Sequence, residues 1–362
     1  MLKICFIVHN CADYGGVGTV TSNLVKELSN YYEVLIASIL DDERPNAILS
    51  GSKIEITRFV SSGFRLRTQQ RKLFIPLKQY IKSNKIDIVI AMGHYPGFLV
   101  SPACFASKTK VVFCDHGALI NQWDDKKAIV MRYIASKVCD KTVVLTEKTL
   151  NDYIEKFHLN PQKITYIYNW IESSDSDSQK YDMDSRKLLS VGRLSEEKGF
   201  NQLMEAMSLI IKKHPDWMLD LYGDGEEKDR LNNLIKDLNL SENVILKGRC
   251  DNVRDYYKDY AAYVMPSYRE GLPVTLLEAK INMLPIVSFD VNTGPREIVR
   301  DGKDGILVEP KNIKALADAM CTLIENRDLR KRYSDNAKGN LDLFSKEKII
   351  PQWKELFEEI AR

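Results

Sequence analysis

No apolar run in this sequence is long enough to cross a membrane unbroken. The most apolar stretch, residues 86–106, is interrupted by Asp87, by Gly93-His94-Tyr95-Pro96-Gly97 and by Pro102, so it reads as strand, loop and helix. Met1–Val8 is too short for a secretion-signal core and runs straight toward a glycine turn, which makes it a first strand. The seven cysteines, at 5, 11, 104, 114, 139, 250 and 321, are scattered, and no C-x-x-C pair occurs among them. A disulfide framework or a zinc site is therefore not expected, and the pattern fits reduced, buried thiols of a cytoplasmic protein. A charge excess is missing as well: Lys and Arg total 52, Asp and Glu 50. A net charge of +2 does not point to nucleic acid as a partner, so local patterning has to carry any electrostatic function. The glycines at 15 and 16 are not followed by the Gly-Lys-Ser/Thr of a P-loop, and dinucleotide-binder spacing (G-x-G-x-x-G) is absent.

What is present is a repeated strand, glycine loop and helix. Lys3–His9 is a continuous apolar strand of the kind buried on both faces of a parallel sheet. Gly15 and Gly16 follow, then an amphipathic helix over about 19–28, and the three make the first unit of a doubly wound domain. Gly15 and Gly16 either let backbone amides face a phosphate or sugar, or simply form a tight turn. Further strands are expected at 33–39, 54–59, 87–91, 110–114, 141–145 and 163–168. Polar loops close two of them, Gly93-His94-Tyr95-Pro96 and Asp115-His116-Gly117. Ligands of open α/β sheets collect at such strand ends, which makes His116 a candidate for chemistry, although a lone loop histidine is more often a simple hydrogen-bonding residue.

One segment is depleted in acid. Residues 56–86 contain no Asp or Glu and eight basic residues, among them Arg65, Arg67, Arg71, Lys72 and Lys78. Leu73, Phe74, Leu77, Tyr80 and Ile81 interleave at helical spacing, so a basic amphipathic helix is expected from about Thr68, kinked or restarted at Pro76. It is either a surface helix packed on the sheet with a solvated face, or a surface for anionic lipid headgroups or a lipid-linked pyrophosphate. RNA is the poorest fit, because little aromatic surface accompanies the charge.

At 362 residues the chain exceeds one comfortable core, and two domains are expected. The polar, acidic stretch 172–186 is the best linker. The expected division is a domain over 1–170, a linker over 171–186, a second domain over 187–342, and a final helix within 343–362 that crosses back to the first half. In the second domain Lys187–Val191 is a strand, and its loop carries Arg193 and Lys198 between glycines. An arginine fork and a lysine point charge would together neutralise a pyrophosphate. The purely structural alternative is a loop salt-bridged to the adjacent Glu196 and Glu197. Further on, the strand 261–265 leads into Glu270-Gly271-Leu272-Pro273 and a helix from Val274, with Pro273 expected at its first position. Such a helix N-terminus receives anions. The flanking Glu270 and Glu278 make sense beside an anion only if they bind hydroxyls, and a nucleotide sugar presents both.

With these motifs in order, the chain resembles the GT-B glycosyltransferases of family 4, also called group 1, over nearly its full length. The features that carry the resemblance are Gly15-Gly16, Gly192-Arg193-Leu194 with Lys198-Gly199, Gly223-Asp224-Gly225, and Pro266-Ser267 with Glu270-Gly271 and Pro273 ahead of Glu278. The resemblance implies an α/β fold of two Rossmann-like doubly wound domains facing across a deep cleft. It implies a retaining, metal-independent hexosyltransferase using a nucleotide sugar, UDP-linked by its likeness to bacterial polysaccharide-assembly enzymes. No cofactor is implied. Arg193 and Lys198 would hold the leaving diphosphate, Glu270 the sugar hydroxyls with Gly271, Leu272 and Pro273 beside them, and Glu278 the ribose. The amides of Val274 and Thr275 would meet phosphate, Arg249 would lie beside the base, Gly15 and Gly16 would face the donor, and His116 would sit near the reacting sugar and acceptor. The acceptor is expected to be a glycan, lipid-linked in the reading that uses the basic helix, with the protein cytoplasmic and peripheral at the inner face of the cell membrane. Asp175-Ser-Asp177 lies in the linker rather than at a strand end, Asn169-Trp170 replaces the usual proline-asparagine-glycine, and Lys280–Met283 replaces small residues. Rival readings are a nucleotide-sugar epimerase or phosphorylase of the same fold, and a non-catalytic nucleotide-sugar-binding partner subunit.

Overall fold

The computed structural model describes residues 1–12, 15–41, 56–61, 66–171, 182–250 and 252–362, with the side chains of 41, 61 and 66–71 outside that description. The chain forms two compact units, Met1–Trp170 with Lys346–Arg362, and Ile171–Ser345.

In the first unit the elements run β1 (Lys3–Asn10), α1 (Gly16–Leu28), β2 (Glu33–Asp41), β3 (Ile56–Ser61), α2 (Leu66–Ser83), β4 (Ile88–Met92), α3 (His94–Cys104), β5 (Lys110–Asp115), α4 (Lys126–Val138), β6 (Lys141–Val144), α5 (Glu147–Phe157) and β7 (Ile164–Tyr166). The strands pair in parallel in the order β3-β2-β1-β4-β5-β6-β7. Every residue of β4 is buried, as a strand covered on both faces requires.

The second unit runs β8 (Lys187–Val191), α6 (Phe200–Ile210), β9 (Met218–Tyr222), α7 (Lys228–Asp237), β10 (Val244–Gly248), β11 (Ala262–Met265), α8 (Val274–Ile281), β12 (Ile286–Phe289), α9 (Pro295–Ile298), β13 (Gly305–Val308), α10 (Ile313–Glu325) and α11 (Arg327–Asn336). Its strands, also parallel, follow the order β10-β9-β8-β11-β12-β13. Both sheets have the Rossmann order, reversing direction beside their first strand, between β1 and β4 and between β8 and β11. Ligands of such sheets bind at that reversal, beyond the carboxyl ends of the strands. The last helix, α12 (Lys346–Ala361), belongs to the first unit. There Trp353 and Phe357 are buried, Phe357 meets Tyr32 edge-on at 5.5 Å, and Lys141 bonds Glu359 at 2.7 Å.

Three sequence readings change in detail. His94-Tyr95-Pro96 is the first turn of α3 rather than a loop; a proline there removes only an N–H that lacks an intrahelical partner anyway. Pro273 is the N-cap of α8 and not its first helical residue. The basic helix α2 continues through Pro76. Its Leu73, Leu77 and Ile81 are buried, so the apolar stripe is spent on the sheet, while Lys72 and Lys78 are exposed. Arg65 and the linker residues Asp175 and Asp177 lie outside the described residues, as do the side chains of Arg67 and Arg71. Among the described residues no helix is long and apolar enough to cross a membrane. None of the seven cysteines forms a disulfide, and five of them are buried.

Candidate functional site

At the second unit's strand-order reversal, the loop after β8 and the loop after β11 are pressed backbone to backbone, and glycine permits it. Gly199 has φ +65, and a Cβ there would stand 2.1 Å from the Pro266 carbonyl oxygen. The Tyr268 amide donates to the Glu197 carbonyl at 2.8 Å, tying the loops together. Gly223-Asp-Gly225 performs the same packing from the β9 side. A Cβ on Gly223 would lie 1.8 Å from the Gly192 oxygen, and one on Gly225 2.4 Å from that of Leu194.

This packing sets four charged side chains. Lys198 Nζ donates to Glu270 Oε1 at 2.7 Å, with the carboxylate only 10% exposed. Arg193 Nη2 donates to Glu226 Oε1 at 2.9 Å, and both of those side chains are exposed. The basic pair is thus partnered by Glu226 and Glu270, not by its neighbours Glu196 and Glu197. Glu197 is instead engaged by the Ser195 hydroxyl at 2.6 Å. An exposed pair such as Arg193–Glu226 is worth at most about 1 kcal/mol, so a phosphate can displace Glu226 at small cost.

Glu270 is held from a third side. Thr293 Oγ1 donates to its carbonyl at 2.5 Å, and the next residue, Gly294 (φ +93), lies so close that a Cβ would be 2.6 Å from the Gly271 oxygen. Leu272 is buried as the anchor of the turn, with Gly271 beside it. No side chain caps α8, so Val274 and Thr275 begin a helix whose first amides are available to an anion. Glu278, one turn on, is half-buried and accepts from Tyr257 Oη at 3.1 Å. Burial raises its pKa above the usual carboxylate value, against the opposing pull of Arg254 and Tyr257. Arg249 is exposed just past the edge strand β10, and β9 separates that strand from β8.

The first unit has its own site at the β1/β4 reversal, a cavity of about 530 Å³ whose lining includes Gly15, Gly16, His94, Tyr95, Asp115, His116 and Arg132. Gly15 has φ +153 and caps α1 without a side chain. At neither Gly15 nor Gly16 would a Cβ meet a described atom within 4 Å, so that edge is open to an approaching group. His116 lines the cavity with its pKa lowered by burial to about 4, so the ring is neutral at physiological pH. His94 is lowered too, by burial first and then by Arg132.

Beneath lies an ion pair that local sequence does not signal. Arg132 Nε donates to Asp115 Oδ2 at 2.7 Å with both side chains 1% exposed, and Tyr153 Oη donates to the same oxygen at 2.7 Å. Arg132 Nη2 also reaches Gln122 Oε1 at 2.5 Å. Burial alone would raise the Asp115 carboxyl, but Arg132 and Tyr153 outweigh it and hold it below the ordinary value. Gly117 makes room, since a Cβ there would stand 2.6 Å from Arg132 Nη2. Asp115-His116-Gly117 was visible at a strand end, and Thr293 stands in the sequence turn Asn292-Thr293-Gly294-Pro295-Arg296-Glu297; Arg132 and Tyr257 carry no motif of their own.

Two family models match the chain: one described as glycosyltransferase family 4 over residues 14–175, and one described as glycosyl transferases group 1 over residues 172–340. The amylovoran biosynthesis glycosyltransferase AmsD of Erwinia amylovora is 29% identical, covering 98% of this chain and 99% of its own. A Campylobacter jejuni 4-alpha-N-acetylgalactosaminyltransferase, named for an N-acetylgalactosamine-N,N'-diacetylbacillosaminyl-diphospho-undecaprenol acceptor, is 27% identical over 96% of this chain and 97% of its own. The crystal structure of Anabaena HepE in complex with UDP-glucose superposes with a TM-score of 0.85 at 19% identity, covering 99% of this chain and all of that one.

Proposed function

The chain belongs to the family 4 glycosyltransferases, with the GT-B fold and a role in glycan assembly, and on that premise we propose that it moves a hexose or N-acetylhexosamine from a UDP-sugar to a glycan hydroxyl with retention of configuration. The observation that carries the reading is the Lys198–Glu270 contact at 2.7 Å beside the uncapped N-terminus of α8. A cation, a carboxylate and helix amides gathered at one switch point suit a ligand that is anionic at one end and hydroxylated at the other.

In this reading Arg193, Lys198 and the amides of Val274 and Thr275 hold the diphosphate and stabilise the charge that grows on it as it leaves. Glu270 turns from Lys198 to the sugar hydroxyls, Glu278 accepts from the ribose, and Arg249 lies by the base. Gly271, Leu272 and Pro273 form the turn that fixes the sugar. Gly15, Gly16 and His116 serve the transferred sugar and the acceptor. The donor phosphate takes the acceptor proton on the face it vacates, so no paired carboxylates are required, and the basic pair fills the electrostatic place of a divalent cation. The acceptor is a lipid-linked glycan at the inner face of the cell membrane. Two observations support this: the Campylobacter relative is named for such an acceptor, and α2 turns Lys72 and Lys78 outward.

The test is UDP release from a panel of UDP-sugars with glycan acceptors. Arg193→Ala and Lys198→Ala should each lower kcat/KM by on the order of 100-fold or more. Unchanged release in either variant removes that residue from the site.

A further inference from the structure

Three buried polar atoms that belong to lining residues of the first unit's cavity have no partner among the described residues: Arg132 Nη1, Tyr95 Oη and His116 Nε2. Buried polar groups are nearly always satisfied, so unpaired ones on three residues that line a single cavity point to a ligand with polar atoms there. Resting on the transferase reading above, we propose that this cavity is an acceptor subsite that reads the hydroxyls of an uncharged sugar, with Arg132 and Tyr95 as specificity-determining residues.

Charge is the first ground. Arg132 is the only lysine or arginine among the described lining residues, and Asp115 neutralises it at 2.7 Å with both groups buried. A carboxylate or phosphate on the acceptor would enter a space whose described lining holds a fixed carboxylate and no uncompensated cation, at the cost of its hydration. Hydrogen-bond polarity is the second. Arg132 Nη1 only donates. Tyr95, whose phenol burial pushes up to about 12, stays protonated and both donates and accepts. The neutral His116 ring offers an acceptor nitrogen as well as a donor. Sugar hydroxyls, each donor and acceptor at once, match this mixed set. A phosphate dianion, with acceptors only, leaves the accepting positions unmet. Space is the third: about 530 Å³ lies within the roughly 300–1,000 Å³ of small-molecule sites.

The experiment compares a neutral hexoside or N-acetylhexosaminide with its uronic acid and its phosphomonoester, using the full chain and a UDP-sugar. The neutral acceptor should have a kcat/KM at least tenfold above either charged form; equal or better use of a charged form overturns the proposal. Tyr95→Phe should raise the acceptor KM roughly threefold to tenfold, the worth of one neutral hydrogen bond, and the donor KM by less. Equal shifts in both, or none, contradict the assignment. Arg132→Met removes half of a buried pair and risks misfolding, which is why the tyrosine variant carries the test. Saturation-transfer NMR of the same hexosides without donor separates the two readings. UDP release with neutral and charged hexosides bound alike contradicts only the subsite. A preserved preference for neutral hexosides with no UDP release from any UDP-sugar supports the subsite and contradicts the transferase reading.

Discussion

Lys198 and Glu270 meet at 2.7 Å, yet the proposed transfer would give them opposite tasks, one toward phosphate and one toward sugar hydroxyls. Their contact holds each side chain in place, and in the proposed reaction a donor separates them. A double-mutant cycle should reflect this. Lys198→Ala lowers kcat on the order of 100-fold or more, Glu270→Gln less, and the double variant loses much less than the product, because each single change strands the other group. Additive losses in steady-state kinetics would mean that the two act separately. His116 supplies a pH test. Its folded pKa, about 4, lies below the ordinary 6.5. The unfolded chain therefore binds the extra proton between those values, so the stabilisation is complete above about pH 6.5 and is lost as pH falls through about 4. Denaturation midpoints at about pH 7.5 and about pH 5 should converge in His116→Asn relative to the parent chain, by up to about 2 kcal/mol of stability. At this scale the sequence reveals which residue types stand at strand ends, but not whom they touch. Arg193 has acids three and four positions away and pairs with Glu226 instead, because the Leu194–Asp224 backbone bond brings the β9 loop alongside. The Asp115–Arg132 pair spans a strand end and a helix, which no local pattern announces.

The elements were more legible than the contacts. β8 and β11 fall where the sequence places strands, at 187–191 and within 261–265, since a strand covered on both faces leaves little choice of composition. Gly223-Asp-Gly225 served as a family marker, and its physical cause is close approach of two backbones. The Thr293-Gly294 turn belongs to the same class and is testable. In Gly294→Ala the new Cβ would collide with the Gly271 carbonyl at 2.6 Å in a backbone with φ +93. Urea melts should show a loss of roughly 1–3 kcal/mol, and the donor KM should rise because the Glu270 turn moves. An unaltered KM would show that the turn only packs. Lys280, where small residues are usual, is fully buried and donates to Asp304 at 3.0 Å and to the Ile298 carbonyl at 2.7 Å. It therefore ties α8 to the end of α9 and to the loop before β13. Lys280→Met should destabilise by about 3 kcal/mol, toward the low end for a broken buried pair because Arg300 still holds Asp304 at 2.6 Å. A variant as stable as the parent would contradict this account of the lysine.

At the scale of the molecule, the chain's last helix completes its first unit. Ile349, Ile350, Trp353, Leu356 and Phe357 of α12 are all buried, and each contributes roughly 1.5–3 kcal/mol by burial. Their sum rivals the whole stability of a domain. A chain ending at Ser345 should lose hydrogen-exchange protection throughout β1–β7 while β8–β13 keep theirs. Equal protection with and without the helix would contradict its structural role. Each Rossmann sheet carries its own candidate site, one charged and one neutral among the described residues, and the proposed transfer of a sugar from a diphosphate to a hydroxyl assigns a role to each. The most direct test of that claim follows the reaction by proton NMR, with an α-linked UDP-sugar and a neutral glycan acceptor. The account predicts one UDP released per α-linked product formed. A β-linked product, change of the donor sugar without acceptor, or consumption that requires inorganic phosphate would contradict it.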